Sequence, residues 1–186
     1  MNYSTLYQYC QEVDVPCISH PTRDRLMAYL RIHKPQYIVE IGSAAGYSGL
    51  LMSNEISAWD GSVISREFSR PQYKKCLYHQ SIFHQYHNLQ FYHVDATHSV
   101  HRNTIVWSYA PLGLDFAFVD GSKAQYHQFV THLIPHMIPG KSSIICDDVI
   151  TYHDKITPLY EYLDRKQIQY HITPLADDDG VMVISL

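Results

Sequence analysis

The stretch Tyr37-Ile-Val-Glu-Ile-Gly-Ser-Ala-Ala-Gly-Tyr-Ser48 decides how this chain folds. Tyr37, Ile38, Val39 and Ile41 form a β-rich run around a single carboxylate, Glu40, and lead directly into Gly42, Ser43, Ala44, Ala45 and Gly46. A helical pattern from Tyr47 to Ala58 follows, so the stretch reads as a strand that turns tightly into a helix. Gly42 and Gly46 let a ligand approach the backbone, and the first amides of the helix point toward a polar or anionic group.

Outward from that turn, strand patterns alternate with helical ones. Upstream, residues 1–20 carry no strong period; Thr22 reads as the N-cap of a helix over 23–33, ended by Lys34-Pro35. Downstream come a strand over 62–67, a helix from Pro71 to about Tyr86, a strand over 89–95, a helix over 98–108 and a strand over 114–120. A helix over 123–137, closed by Pro139-Gly140, precedes a strand over 142–147 and a helix over 154–166. Two closing strands, 168–174 and 180–185, are joined by too few residues for a crossover and so form an antiparallel hairpin. The rest of the alternation calls for a parallel sheet covered on both faces, an α/β fold in a single domain spanning 1–186, with 1–34 as an N-terminal helical segment.

The composition is that of a soluble globular protein, with 46% hydrophobic and 17% charged residues in 186. No apolar run approaches the roughly 18 residues of a membrane span, and the first residues lack the regions of a signal peptide, so a cytoplasmic location is expected. Four cysteines without CxxC spacing indicate neither a zinc site nor a disulfide framework. A net charge of −4 argues against a broad nucleic-acid surface, and Arg66, Arg70, Lys74 and Lys75 read as a solvated helix start. Scattered tyrosines and histidines carry no ligand spacing.

In a parallel sheet the carboxyl ends of the strands share the edge where ligands bind. Glu40, Glu67, Asp95, Asp120, Asp147 and Asp148 all fall at or near such ends. Glu67 stands where an acid accepts hydrogen bonds from both ribose hydroxyls, while Asp95 and Ala96 leave room for a flat base, which together suggest an adenosine-containing cofactor. Asp120, Asp147 and Asp148 offer oxygen donors without His or Cys, a set that suits a hard cation such as Mg²⁺. Lys123, three residues beyond Asp120, is placed to act as a base at the same site.

EIGSAAGYS, Glu67, Asp95-Ala96, DFAFVDGSKAQY (115–126), IICDDVI (144–150) and the terminal DDGVMVISL together resemble the metal-dependent, S-adenosylmethionine-using O-methyltransferases of the catechol and caffeoyl-CoA type, in order from about residue 17 to the end. The resemblance implies a class I methyltransferase fold, a Rossmann-like seven-stranded sheet ordered 3-2-1-4-5-7-6. It implies that Glu40, Gly42, Ala44, Gly46 and Ser48 line the methionine end of S-adenosylmethionine, that Glu67 takes the ribose and that Asp95 and Ala96 edge the adenine. Asp120 is counted with both the cofactor and the metal, which it holds with Asp147 and Asp148, and Lys123 is the catalytic base. The expected acceptor is a small, aromatic hydroxyl compound, and a homodimer is consistent with the relatives.

The chain departs from that family at three places. Asp148 stands where Asn is usual, which adds a negative charge and makes Mn²⁺ or Ca²⁺ more plausible beside Mg²⁺. The segment after Asp148 is short, with Thr151-Tyr152-His153 replacing a substrate-shaping insertion, and Arg23-Asp24-Arg25 replaces glycine. Tyr47, Trp107, Tyr152 and His153 are candidate aromatic walls. Two other readings share these residues: methylation of an RNA hydroxyl, which the acidic charge disfavours, and non-catalytic binding of the nucleoside cofactor, which the retained Lys123 and acids disfavour. A dehydrogenase is disfavoured because the loop lacks G-x-G-x-x-G.

Overall fold

Alternate residues along each central strand belong to opposite cores, and that period of two builds the molecule. In the computed structural model, which describes residues 3–83, 87–97, 110, 112–176 and 179–186, Phe116 and Phe118 face one core while Ala117 and Val119 face the other. Ile145 is likewise set against Ile144 and Cys146, and Val181 and Val183 against Met182 and Ile184. Burial on both faces explains why these strands read as continuous apolar runs.

The elements in order are α1 (Tyr3–Glu12), α2 (His20–His33), β1 (Tyr37–Ile41), α3 (Tyr47–Ile56), β2 (Ser62–Glu67), α4 (Arg70–Phe83), β3 (Leu89–His93), β4 (Phe116–Val119), α5 (Tyr126–Leu133), β5 (Ser143–Cys146), α6 (His153–Lys166), β6 (Tyr170–Pro174) and β7 (Gly180–Ser185). The seven strands form one sheet ordered β3-β2-β1-β4-β5-β7-β6. Pairing is parallel from β3 to β5 and antiparallel where β7 joins β5 and β6. This is the seven-stranded order the sequence resemblance implies. Helices α1 to α3 supply Leu6, Leu26, Leu30 and Leu50 to one core; α5 and α6 supply Phe129, Leu133, Leu159 and Leu163 to the other.

The first twenty residues differ from expectation, for they contain a full helix, α1, which buries Leu6 and Cys10 one turn apart. The cap of α2 also differs. Ser19, not Thr22, is the N-cap, and its Oγ accepts from Thr22 N at 3.2 Å, with Pro21 pre-set for the first turn. The helix expected over 123–137 is broken into a 3₁₀ turn (Lys123–Gln125), α5 and a second 3₁₀ turn containing Pro135. A helix over 98–108 lies outside the described residues. Arg66 is buried, 3% exposed, which removes it from the basic surface read at the start of α4.

Candidate active site

The β1–α3 turn is built on hydrogen bonds to two buried carboxylates. Glu67, at the end of β2, accepts from Ser43 N at 3.1 Å, Ala44 N at 2.8 Å and Ser69 N at 2.7 Å, so one side chain fixes both the glycine loop and the chain leaving β2. Glu40 lies beneath the same loop, fully buried, and accepts from Ser48 Oγ and Ser65 Oγ. Burial pushes the Glu40 carboxyl up to about 7, against the opposing pull of those two hydroxyls. Gly42, at φ +94°, is required by a close approach of protein to protein: a Cβ there would stand 2.3 Å from the carbonyl oxygen of Asp120. The loop after β1 and the end of β4 are thereby packed backbone to backbone.

Across from the loop, the ends of β4 and β5 bring three acids together. Single ligand oxygens of Asp120, Asp147 and Asp148 lie within 4.8 Å of one another. Lys123, at the start of the 3₁₀ turn, donates to Asp120 Oδ1 at 2.7 Å, Asp148 Oδ2 at 2.8 Å and the Tyr126 hydroxyl at 2.8 Å. Tyr126 in turn donates to the Asp147 carbonyl at 3.0 Å, which ties the lysine to the chain that carries two of the acids. Burial alone lowers the Lys123 ammonium, but the charges of Asp120 and Asp148 outweigh it and hold the group above its ordinary value. Burial also raises Asp120, with Lys123 opposing. Burial, followed by the neighbouring charges of Asp120 and Asp148, pushes Asp147 up to about 8.

The donor set fits a divalent cation. Three carboxylates face one ammonium, so the fully ionised cluster carries two uncompensated negative charges, the amount one such ion neutralises. Asp148 holds φ +55°, a left-handed conformation that Asp and Asn tolerate better than other non-glycine residues, so the departure from Asn costs the backbone little.

Both halves open onto one cleft of about 690 Å³, a size suited to a small-molecule ligand. Of the residues singled out from sequence, Gly42, Ala44, Glu67, Asp95, Ala96, Asp120, Lys123 and Asp148 line it. Glu40, Gly46, Ser48 and Asp147 stand behind the wall: Gly46 packs toward Phe91 and Cys76, and Asp147 is 3% exposed. Asp95 turns its Oδ1 onto Thr97 N at 2.8 Å and Thr97 Oγ1 at 2.6 Å. Tyr152 lines the cleft with its ring 5.9 Å from Lys123 Nζ, whereas Tyr47 packs against Tyr7 and His153 against Tyr160. Trp107 lies outside the described residues.

Sequence reading did not single out Phe68, Gln72 and Lys155, which also line the cleft. Phe68 had a signal in its adjacency to Glu67; the other two had none. Nor did it find Asp179, whose Oδ1 accepts from Ile150 N at 3.0 Å, Thr151 N at 3.2 Å and Gly180 N at 2.7 Å and so holds the short segment following Asp148.

Among solved structures, a Staphylococcus aureus protein described as a candidate caffeoyl-CoA O-methyltransferase superposes with a TM-score of 0.84 at 16% identity, covering 100% of this chain and 93% of its own. The Bacillus cereus O-methyltransferase, in complex with SAH, gives 0.81 at 18% identity, covering 99% and 90%. TomG from Streptomyces achromogenes, an O-methyltransferase of tomaymycin synthesis in complex with SAM, gives 0.80 at 18% identity, covering 99% and 88%. At these identities the likeness shows the fold, while the sequence itself matches the O-methyltransferase family over residues 8–185. With that match spanning nearly its whole length, the chain belongs to the O-methyltransferase family.

Proposed function

We propose that this protein transfers the methyl group of S-adenosylmethionine to a hydroxyl of a small aromatic acceptor, with a divalent cation, Mg²⁺ first and Mn²⁺ or Ca²⁺ as other occupants, held by Asp120, Asp147 and Asp148. The observation that carries the reading is that the loop-side residues Gly42, Ala44, Glu67, Asp95 and Ala96 share one cleft with Asp120, Lys123 and Asp148. Two of the superposed relatives are bound to SAM or SAH, which supports the choice of methyl donor.

S-adenosylmethionine, when bound, supplies an electrophilic methyl carbon, and a divalent cation supplies Lewis acidity toward a hydroxyl. The remaining work falls to the chain. Glu67 and the amides it fixes shape the donor half, with Asp95 and Ala96 at the base end. Lys123 is the base for the hydroxyl proton, its Nζ aimed by Tyr126; the charges of Asp120 and Asp148 keep it an ammonium, so it would accept that proton only once a divalent cation neutralised them. Tyr152 offers an aromatic face to the acceptor. Bringing acceptor oxygen and methyl carbon into one cleft converts a bimolecular displacement into a positioned one.

The test is transfer of labelled methyl from S-adenosylmethionine to pooled cellular small molecules and to RNA, with Mg²⁺ or Mn²⁺. Label should enter the small-molecule fraction and fall sharply in Lys123→Ala and Asp120→Ala. Unchanged transfer in either variant overturns the assigned roles, and label in RNA alone overturns the acceptor class.

A further inference from the structure

One wall of the cleft beside the acid cluster comes from a short segment, 149–155, that the rest of the fold holds in place. Asp179 Oδ1 accepts from the amides of Ile150 and Thr151, and the Tyr160 hydroxyl donates to the Val149 carbonyl at 3.1 Å. Tyr152 N bonds back to the Asp148 carbonyl at 3.3 Å and Lys155 N to the Tyr152 carbonyl at 3.0 Å. Tyr152 and Lys155 therefore keep a fixed relation to Asp148, and both line the cleft. The Tyr152 ring centroid lies 5.9 Å from Lys123 Nζ and 5.0 Å from Lys155 Nζ, so the two ammoniums are no farther apart than those distances together.

The two lysines differ in what they face. Lys123 is bonded to Asp120, Asp148 and Tyr126. Among the described residues, Lys155 has no acid within ion-pair distance. It also stands in the first turn of α6, where the helix dipole opposes a cation, so the helix itself gives no reason for a lysine there. Asp154 beside it is fully exposed, its nearest cation His153 at 3.6 Å. The other charged residues lining the cleft, Arg66, Glu67 and Asp95, stand at the far side, at the ends of β2 and β3. With the acid cluster neutralised by a divalent cation, Lys155 is the positive charge left on the acceptor side.

We propose, resting on the methyl-transfer reading above, that the acceptor is an aromatic hydroxy acid and that Lys155 selects it by pairing with its carboxylate. The acceptor ring lies against Tyr152, its hydroxyl toward Lys123 and its carboxylate toward Lys155. A benzene ring bearing these two groups para to each other is long enough to reach both ammoniums within the span the structure sets. Because Lys155 is exposed, the pair sorts acceptors more than it holds them.

The test compares protocatechuate with its neutral carboxamide, which keeps the shape and both hydroxyls and loses the charge. Two measurements are made on the full chain, with Mg²⁺ present in both: kcat and KM for methyl transfer, and calorimetric binding of each compound in the presence of S-adenosylhomocysteine. The wild type is expected to favour the acid about five- to tenfold in both, the kinetic preference residing in KM. Lys155→Met, which keeps the stem and removes the charge, is expected to bring the two compounds near parity, and Lys155→Arg to restore the preference. Equal treatment of acid and amide by the wild type overturns the inference, as does a preference that survives in Lys155→Met. Binding of neither compound overturns it too. Acid binding that depends on Lys155 without methyl transfer to either compound supports the inference and overturns the reading beneath it.

Discussion

Thr22 Oγ1 donates to Asp147 Oδ1 at 3.0 Å, joining the first turn of α2 to an acid at the end of β5, 125 residues away. The bond is buried, and it opposes the rise that burial and neighbouring charges impose on Asp147. Thr22 thus fixes one carboxylate oxygen of a member of the acid cluster.

Thr22→Val keeps the shape and removes the donor. Because outer partners of ligating carboxylates typically carry about 10- to 100-fold in metal affinity, Mn²⁺ binding measured by calorimetry should weaken by about that factor. Thr22→Ser should restore most of it. Equal affinity in the valine variant and wild type would show that Asp147 needs no such support.

Lys123 gives a second expectation, in which stability and activity part company. Lys123→Met strips the only ammonium bonded to Asp120 and Asp148 among the described residues and leaves three acids facing one another. The pairs are partly exposed, so the loss of stability without added metal should be about 1–3 kcal/mol, below the range for a deeply buried pair. Added Mg²⁺ should recover the thermal midpoint but not the methyl transfer, which loses about 10²–10⁴-fold if a positioned base is gone. A variant that stays inactive only in the absence of metal would make Lys123 a counter-ion alone.

The order of elements and the line of acids along the sheet edge were legible because they rest on local signals: apolar strands of four to six residues, turn glycines and acids at strand ends. What was not legible depends on distant partners. Thr22 looks like a cap because its hydroxyl precedes a helical pattern, yet that hydroxyl goes to Asp147 and Ser19 does the capping. Among the described side chains of α1, only Leu6 and Cys10 are completely buried, too thin a stripe to register as a period. Gly42 was readable as special, but its neighbour across the gap, the Asp120 carbonyl, lies just past the end of β4, 78 residues on.

That neighbour makes Gly42→Ala a sharp test. The added methyl meets three backbone atoms between 2.3 and 2.7 Å away, in a conformation that already disfavours a side chain. Backbone at both ends cannot yield cheaply, so unfolding by denaturant should show a loss of about 2 kcal/mol or more, with donor affinity falling as the loop separates from β4. A neutral substitution would mean the two loops are not packed this closely.

Glu40 predicts a pH dependence whose sign is fixed by its burial. Its folded value of about 7 exceeds the ordinary 4.5, so between those limits the folded chain retains a proton that the unfolded chain has released. Stability from this group is complete below 4.5, declines as pH rises and is gone once pH passes 7, a change on the order of 3 kcal/mol. Asp147, pushed up to about 8, adds a decline of the same sign, so the wild-type curve alone does not isolate Glu40. Glu40→Gln does, because the amide mimics the neutral carboxyl and retains an oxygen for Ser48 or Ser65. Denaturant unfolding of both proteins across this range should give curves whose difference is smallest at the acid end and grows in favour of the glutamine variant toward and beyond neutral pH. A difference that stays constant with pH would mean that Glu40 titrates no differently in the folded chain than in the unfolded one.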